Sequence, residues 1–189
     1  MNSNLSIEET KLKGAYIITS FCREDERGSF IKDYSSEWLV ANNLNHKLVE
    51  VFYTNSKKGV IRAIHFQIVK EQAKLVRCIK GSVFDVIVDL RKNSPTYSQW
   101  ISVILNDRNN KSIYVPKGFG HGYLVLEDSI VSYKCDEKFY PQYDTGIKWN
   151  DEKLNINWPI EQIDARIIIS DKDKNLQSFQ DYKISQQYE

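Results

Sequence analysis

The chain has three histidines, and two of them sit where their chemistry has to be explained. His65 lies in "IRAIHFQ" (61–67), where Ile61, Ala63, Ile64 and Phe66 read as ordinary buried strand. Arg62 lies in the same stretch. An imidazole titrates near neutrality, so it can accept a proton at working pH. A buried arginine needs a partner, and "IRAI" offers none locally. His121 closes "PKGFGH" (116–121), a Pro-x-Gly-x-x-His run directly after a strand-like segment. His46, in "LNHKLV", reads as a surface or edge residue. Strict alternation would put Ile61, Ala63, His65 and Gln67 on one face and Arg62, Ile64 and Phe66 on the other. If Arg62 and His65 serve one ligand, a bulge or kink near Ala63 must re-aim one of them.

The elements that must position these groups are short and strand-like. Apolar, β-branched runs occupy 14–21, 46–55, 59–67, 74–81, 82–91, 100–106, 112–118, 121–128 and 129–136, punctuated by turn residues such as "KKG", "KNSP" and "NDRNN". Many short strands at this spacing predict a sandwich or barrel. "SSEWLVANN" (35–43) predicts a helix with a serine N-cap and with Trp38 and Leu39 toward the core. The polar end after about 174 predicts a short helix or a loose tail, and the whole of 1–189 reads as one domain.

Composition narrows the class. The 26 basic and 25 acidic side chains leave a charge of +1, with no global field for nucleic acid or a membrane surface. No apolar run approaches the length of a membrane span, and the start lacks a signal-peptide pattern. Cys22, Cys78 and Cys135 form no CxxC, and an odd number leaves one unpaired, so a reducing, cytoplasmic setting is expected.

The 116–121 run resembles the second half of the cupin signature, in which a tight turn aims a histidine into a jelly-roll barrel, and 61–67 stands where the first half belongs. Metal-binding cupins have His-x-His there, two ligands on one face of a strand. This chain has His65-Phe66-Gln67, and an amide is a poor ligand for a first-row metal. The expectation is a barrel that holds no metal and works with side chains alone.

A larger set of blocks resembles the dTDP-4-dehydrorhamnose 3,5-epimerase family from about residue 12 to 174. It comprises "DERGSF" (25–30), "KKGVIRAIHFQ" (57–67), "KLVRCIKGSVFDVIVDLRKNSPTYSQW" (74–100), "VPKGFGHGYLVLED" (115–128), "YKC" (133–135), "IKWNDEKLNINWP" (147–159) and "ISDKD" (169–173), in order and at the family's spacing. The resemblance implies an all-β, cupin-type jelly-roll barrel with a few short helices. It further implies no cofactor, a homodimer, and a nucleoside-diphosphate 4-keto-6-deoxy sugar as substrate, in deoxysugar synthesis for surface polysaccharide. The C4 ketone acidifies the C3 and C5 hydrogens. Removing one gives an enolate, and returning a proton to the opposite face inverts the centre.

On this resemblance His65 is the base, Asp173 its orienting carboxylate, and Tyr133, one of eleven tyrosines, the acid. Lys74 stands near the keto oxygen, where a fixed cation is worth about 3 kcal/mol. Arg27, Arg62, His121, Lys172, Asp144 and Gln67 form the implied binding set. From the residues alone each has a plainer reading: a core histidine, a strand aromatic, a strand-opening lysine, a turn charge in "EDERGS", or a solvated carboxylate among Lys172 and Lys174.

Four departures concern substrate reading. Lys32 replaces a glutamate, Glu50-Val51-Phe52 replaces Gln-Asp-Asn, Ala63-Ile64 replaces Gly-Leu, and Lys138-Phe139 replaces a tyrosine pair. CDP or GDP in place of dTDP, and inversion of C3 or C5 alone, therefore stay open. So do two other functions: a 3,4-ketoisomerase, and a non-catalytic cupin that binds a sugar nucleotide.

Overall fold

The computed structural model describes residues 5–185. The opening residues and residues 186–189 of the expected tail lie outside that range. The strands are β1 (Ser6–Glu9), β2 (Tyr16–Thr19), β3 (Phe21–Asp25), β4 (Gly28–Lys32), β5 (Glu50–Ser56), β6 (Val60–Gln67), β7 (Lys74–Asp89), β8 (Trp100–Asn106), β9 (Lys111–Val115), β10 (Phe119–Cys135), β11 (Asp144–Gly146) and β12 (Ile168–Ile169). Helices α1 (Ser36–Ala41), α2 (Asp171–Lys174) and α3 (Phe179–Ser185) are short.

Two long strands organise the barrel. The first half of β7 pairs with β9 and its second half with β8. β10 pairs with β6 near its start and with β5 near its end. One hydrogen-bonded sheet of ten strands therefore folds over into two facing layers, the arrangement of a jelly roll. Each long strand was expected as two separate strands. The corner in β7 is Gly81, at φ +78°, where a Cβ would stand 2.2 Å from the Asp128 carbonyl oxygen. Only glycine meets both demands, so the chain turns there, at the point where its pairing with β10 shifts register.

Between the layers lies a core that includes Val76, Ile87, Leu105, Ile113 and Val131, all fully buried. Each such side chain stabilises the fold by about 1.5–3 kcal/mol. A second cluster covers the outer face of β6 and takes in Trp158, Phe179 and Tyr182, so the end of the chain is helix α3 packed onto the barrel. A third sits under α1, where Leu39 meets Ile18, Leu75 and Tyr114. As expected, α1 is capped by Ser35, whose Oγ accepts from the Trp38 amide.

His46 corrects the reading made from sequence. It is 2% exposed and lies edge-on to the Tyr34 and Tyr114 rings. Burial lowers its pKa, with Asp136 opposing. The polar neighbours "N" and "K" in "LNHKLV" concealed a ring that packs as an aromatic.

Candidate active site

β6 is irregular where the argument from Arg62 and His65 requires it. Opposite β10, His65 pairs with His121 and Arg62 with Tyr123, so three steps on β6 match two on β10. Ile61, Ala63, Ile64 and Phe66 all join the outer core cluster, which puts the break in alternation between Ala63 and Ile64. Arg62 and His65 are thereby released to the other face, where His65 is half-buried and Arg62 is exposed, not buried as its apolar neighbours suggested. Gly122 makes room, since a Cβ there would stand 2.5 Å from the Ala63 Cβ. Ala63 is not among the positive-φ residues, so alanine serves where the family has glycine.

His65 is half-buried, and its Nε2 lies 3.1 Å from Asp173 Oδ2. A carboxylate only accepts, so Nε2–H donates and Nδ1 is left to take a proton. Asp173 is 5% exposed and sits on α2, capped by Ser170, whose Oγ accepts from its amide. Burial works to raise its pKa, but hydrogen bonds from His65, Ser170 and the Ala63 amide outweigh burial and hold it below the usual range.

His121 has a carboxylate of its own. Its Nε2 lies 2.9 Å from Asp85 Oδ2, both residues are buried, and Asp85 Oδ1 has no hydrogen-bond partner. Burial raises the Asp85 pKa, with His121 and Lys74 opposing. Asp85 was not singled out from sequence. A carboxylate set between apolar neighbours, Phe84 and Val86, was the available signal.

Tyr133 is 6% exposed, with the His121 ring edge-on at 5.8 Å and Phe52 stacked on its face at 4.6 Å. Burial pushes its phenol well above the ordinary value, so it stays protonated. Tyr123 and Asp85 add to that shift and Arg62 opposes it. Arg62 also donates from Nε to Ser56 Oγ at 3.1 Å. Lys74 forms no salt bridge among the described residues. Burial lowers its pKa, and Cys135, Asp144 and Asp85 pull the other way.

The remaining expected residues fall into three places. Lys172 pairs with Asp144, and Asp144 faces Gln67 across β11 and β6. The Gln67 amide is engaged by backbone: it donates to the Lys70 and Lys138 carbonyls and accepts from the Tyr140 amide. Arg27 lies apart, exposed in the turn of the β3–β4 hairpin and paired with Asp25. A cleft of about 440 Å³ opens on Lys74, Gln67, Arg91 and Lys117. His65 and Tyr133 are not on its walls; they face the barrel interior, and Lys74 is the expected catalytic residue that lines the cleft. Among the described residues no three His, Cys, Asp or Glu side chains gather as a metal site.

The site thus holds two imidazole–carboxylate pairs and a buried phenol, groups able to take or give a proton. Comparison with known proteins identifies the scaffold. The model of the family described as dTDP-4-dehydrorhamnose 3,5-epimerase matches residues 9–181. The chain belongs to that family. A dTDP-4-dehydrorhamnose 3,5-epimerase of Methanothermobacter thermautotrophicus is 46% identical over 168 residues, covering 88% of this chain and 90% of that protein. The Legionella pneumophila dTDP-6-deoxy-D-glucose-3,5-epimerase, solved with dTDP-4-keto-L-rhamnose, is 33% identical with a TM-score of 0.87, covering 93% of each chain. NovW of Streptomyces spheroides, a 4-keto-6-deoxy sugar epimerase of the novobiocin cluster, is 30% identical with a TM-score of 0.91, covering 98% of this chain and 93% of its own. Family membership makes the protein an epimerase, an isomerase by reaction class, on the cupin-type jelly roll expected from its motifs.

Proposed function

We propose that the protein inverts C3 and C5 of a 4-keto-6-deoxy sugar carried on dTDP, with His65 as base and Tyr133 as acid. The observation that carries this reading is the His65–Asp173 contact of 3.1 Å, in which a carboxylate on one ring nitrogen orients the imidazole and leaves the other free to act as the base. Nδ1 takes the proton α to the ketone, and the C–H electron pair becomes the enolate double bond as charge moves to the keto oxygen. Lys74 meets that charge. Tyr133 then breaks its O–H bond as a new C–H bond forms on the opposite face, and the phenolate regains a proton from water. His121 and Arg62 bind the sugar and diphosphate, while Gln67, Asp144 and Lys172 hold the loops around it. The relatives described above are named as epimerases, which favours this reading over a ketoisomerase or a non-catalytic binder.

Incubation with a dTDP-linked 4-keto-6-deoxy sugar in deuterated water tests it. Deuterium is expected at C3 and C5, and no exchange with any 4-keto substrate would sink the enolate. His65→Ala abolishes exchange, whereas Tyr133→Phe keeps part of it and blocks inversion.

We also read the protein as a homodimer of the cytoplasm. Val51 and Tyr53 are exposed on β5, which among the described residues pairs only with β10, and Phe30 is exposed on the hairpin that carries Arg27. A hairpin laid over the partner's site would supply Arg27 to it. In a mixture of Arg27→Ala and His65→Ala proteins, hybrid dimers then regain activity; two inactive halves that stay inactive would count against the arrangement. Three buried cysteines with no disulfide among them fit a reducing compartment. No helix among the described residues is long and apolar enough to cross a membrane.

A further inference from the structure

The inward row of β5 meets the site at regular intervals. Phe52 stacks on Tyr133, Thr54 lies 2.7 Å from the Tyr123 hydroxyl, and Ser56 takes the Arg62 hydrogen bond. Phe52 is also a point of departure, since the family has asparagine at this place. Phe52 and Tyr133 are direct partners across β5 and β10, with ring centroids 4.6 Å apart and planes 14° from parallel. The phenol is bracketed as a result. Phe52 covers one face, the His121 ring stands edge-on at 5.8 Å, and the partner on the β7 side is the fully buried Val76. Two residues earlier on β5, Glu50 Oε2 accepts from the Phe139 amide at 2.9 Å. Two positions that are polar in the family are therefore engaged within the protein here.

We infer that Phe52 is a positioning residue for the acid, its ring fixing where the Tyr133 oxygen stands. The inference rests on Tyr133 being the acid. The phenol oxygen lies on the Cβ–Cγ axis, so turning the ring about that axis leaves the oxygen in place. A swing about Cα–Cβ moves it. In one direction that swing drives the ring into Phe52, and in the other it gives up a face-to-face contact. Asparagine has no flat apolar face to offer, and leucine fills volume without one. Return of the proton to the opposite face depends on this placement, because a shift of about 1 Å slows a positioned transfer by about 100-fold. Removal of the proton does not, because His65 stands on another strand and is oriented by Asp173 from α2. An enolate that waits longer for Tyr133 is returned more often from the His65 side, so exchange outlasts inversion.

Three variants at this position test the inference, each with a dTDP-linked 4-keto-6-deoxy sugar in deuterated water. In Phe52→Leu and Phe52→Asn, inversion is expected to fall by about tenfold or more, while exchange and KM change by less than about threefold. Phe52→Tyr keeps the flat ring and is expected to stay within about threefold of the wild type in both rates. A wild-type ratio of inversion to exchange in the leucine and asparagine variants would overturn the inference. So would equal loss of both rates, which a merely structural ring would give, or a tyrosine variant as impaired as the leucine one. Tyr133→Phe run alongside separates the two readings. If that variant still inverts, the acid has been misassigned. If it does not invert while Phe52→Leu keeps the wild-type ratio, only the role of Phe52 falls.

Discussion

His65 and His121 face each other directly across β6 and β10, yet they do not share a partner. Each imidazole is held through Nε2 by its own buried carboxylate, Asp173 at 3.1 Å and Asp85 at 2.9 Å. The two pairs differ in one respect that matters for chemistry. The His65 side chain is 24% exposed and the His121 side chain 4%, so the first has access to a ligand and the second is embedded beside Tyr133.

That difference assigns the pairs distinct sensitivities. Asp173→Asn removes the acceptor that fixes the His65 tautomer. Deuterium exchange is expected to slow by about 100-fold, within the range contributed by acid–base groups, with little change in KM. An unchanged rate would remove Asp173 from the site. Asp85→Asn leaves His65 oriented, so its main effect is expected on inversion, through His121 and Tyr133.

Lys74 gives a pH prediction. Its pKa is lowered by burial. As pH rises through a lowered pKa the ammonium discharges, and the enolate loses its cation before an ordinary lysine would titrate at about 10.4. The rate should therefore fall on an alkaline limb below that value. Lys74→Arg should move the limb upward, and Lys74→Met should cost about 100-fold in kcat, corresponding to about 3 kcal/mol. A limb unmoved by Lys74→Arg would assign it to another group.

His46 gives a second, on stability. Its folded pKa lies below its unfolded value of about 6.5. Unfolded chains then bind a proton that folded chains refuse. The contribution of this group is fully present above pH ~6.5 and is lost as pH falls toward the folded pKa. Melting temperatures measured from pH 8 to pH 4 should show that loss in the wild type. His46→Phe keeps the edge-on contacts with Tyr34 and Tyr114 and should flatten the profile; an unaltered slope would place the effect elsewhere.

Gly122 tests the bulge. An added Cβ meets the Ala63 Cβ at 2.5 Å and the Arg62 carbonyl oxygen at 2.7 Å, both across a close strand contact. Gly122→Ala should destabilise the protein by about 1–3 kcal/mol in urea titrations. Any folded fraction should lose activity, because Arg62 and His65 depend on that irregularity. Wild-type stability in this variant would show that the strands can move apart freely.

Much of this architecture was legible in the sequence because the physics is local. Apolar runs marked the barrel strands, "SSEW" marked α1, and the awkward company of Arg62 and His65 demanded the bulge that β6 has. The β3–β4 hairpin was not legible. Its side chains are mostly exposed, so "FCREDERGSFIK" shows no alternation to read. The His65–Asp173 contact joins residues 108 apart in the chain, and only the family resemblance pointed to it. Asp85 acquires its role only when two layers face each other, and its one sign in the sequence is a carboxylate set between Phe84 and Val86. Burial hid His46 for the opposite reason: its sequence neighbours are polar while its spatial neighbours are rings.

The inward row of β5 has a consequence for how the site fails. β6, which carries His65, is flanked by β10 and β11, whereas β5, whose Phe52, Thr54 and Ser56 meet Tyr133, Tyr123 and Arg62, pairs among the described residues with β10 alone. Edge strands open at lower free energy than strands paired on both sides, so amide protons on β5 exchange with solvent from states in which β6 is still closed. In those partly open molecules the base survives and the contacts to Tyr133, Tyr123 and Arg62 do not. Mild denaturant or heat would then produce an enzyme that still labilises a sugar hydrogen but has lost the handedness of its return.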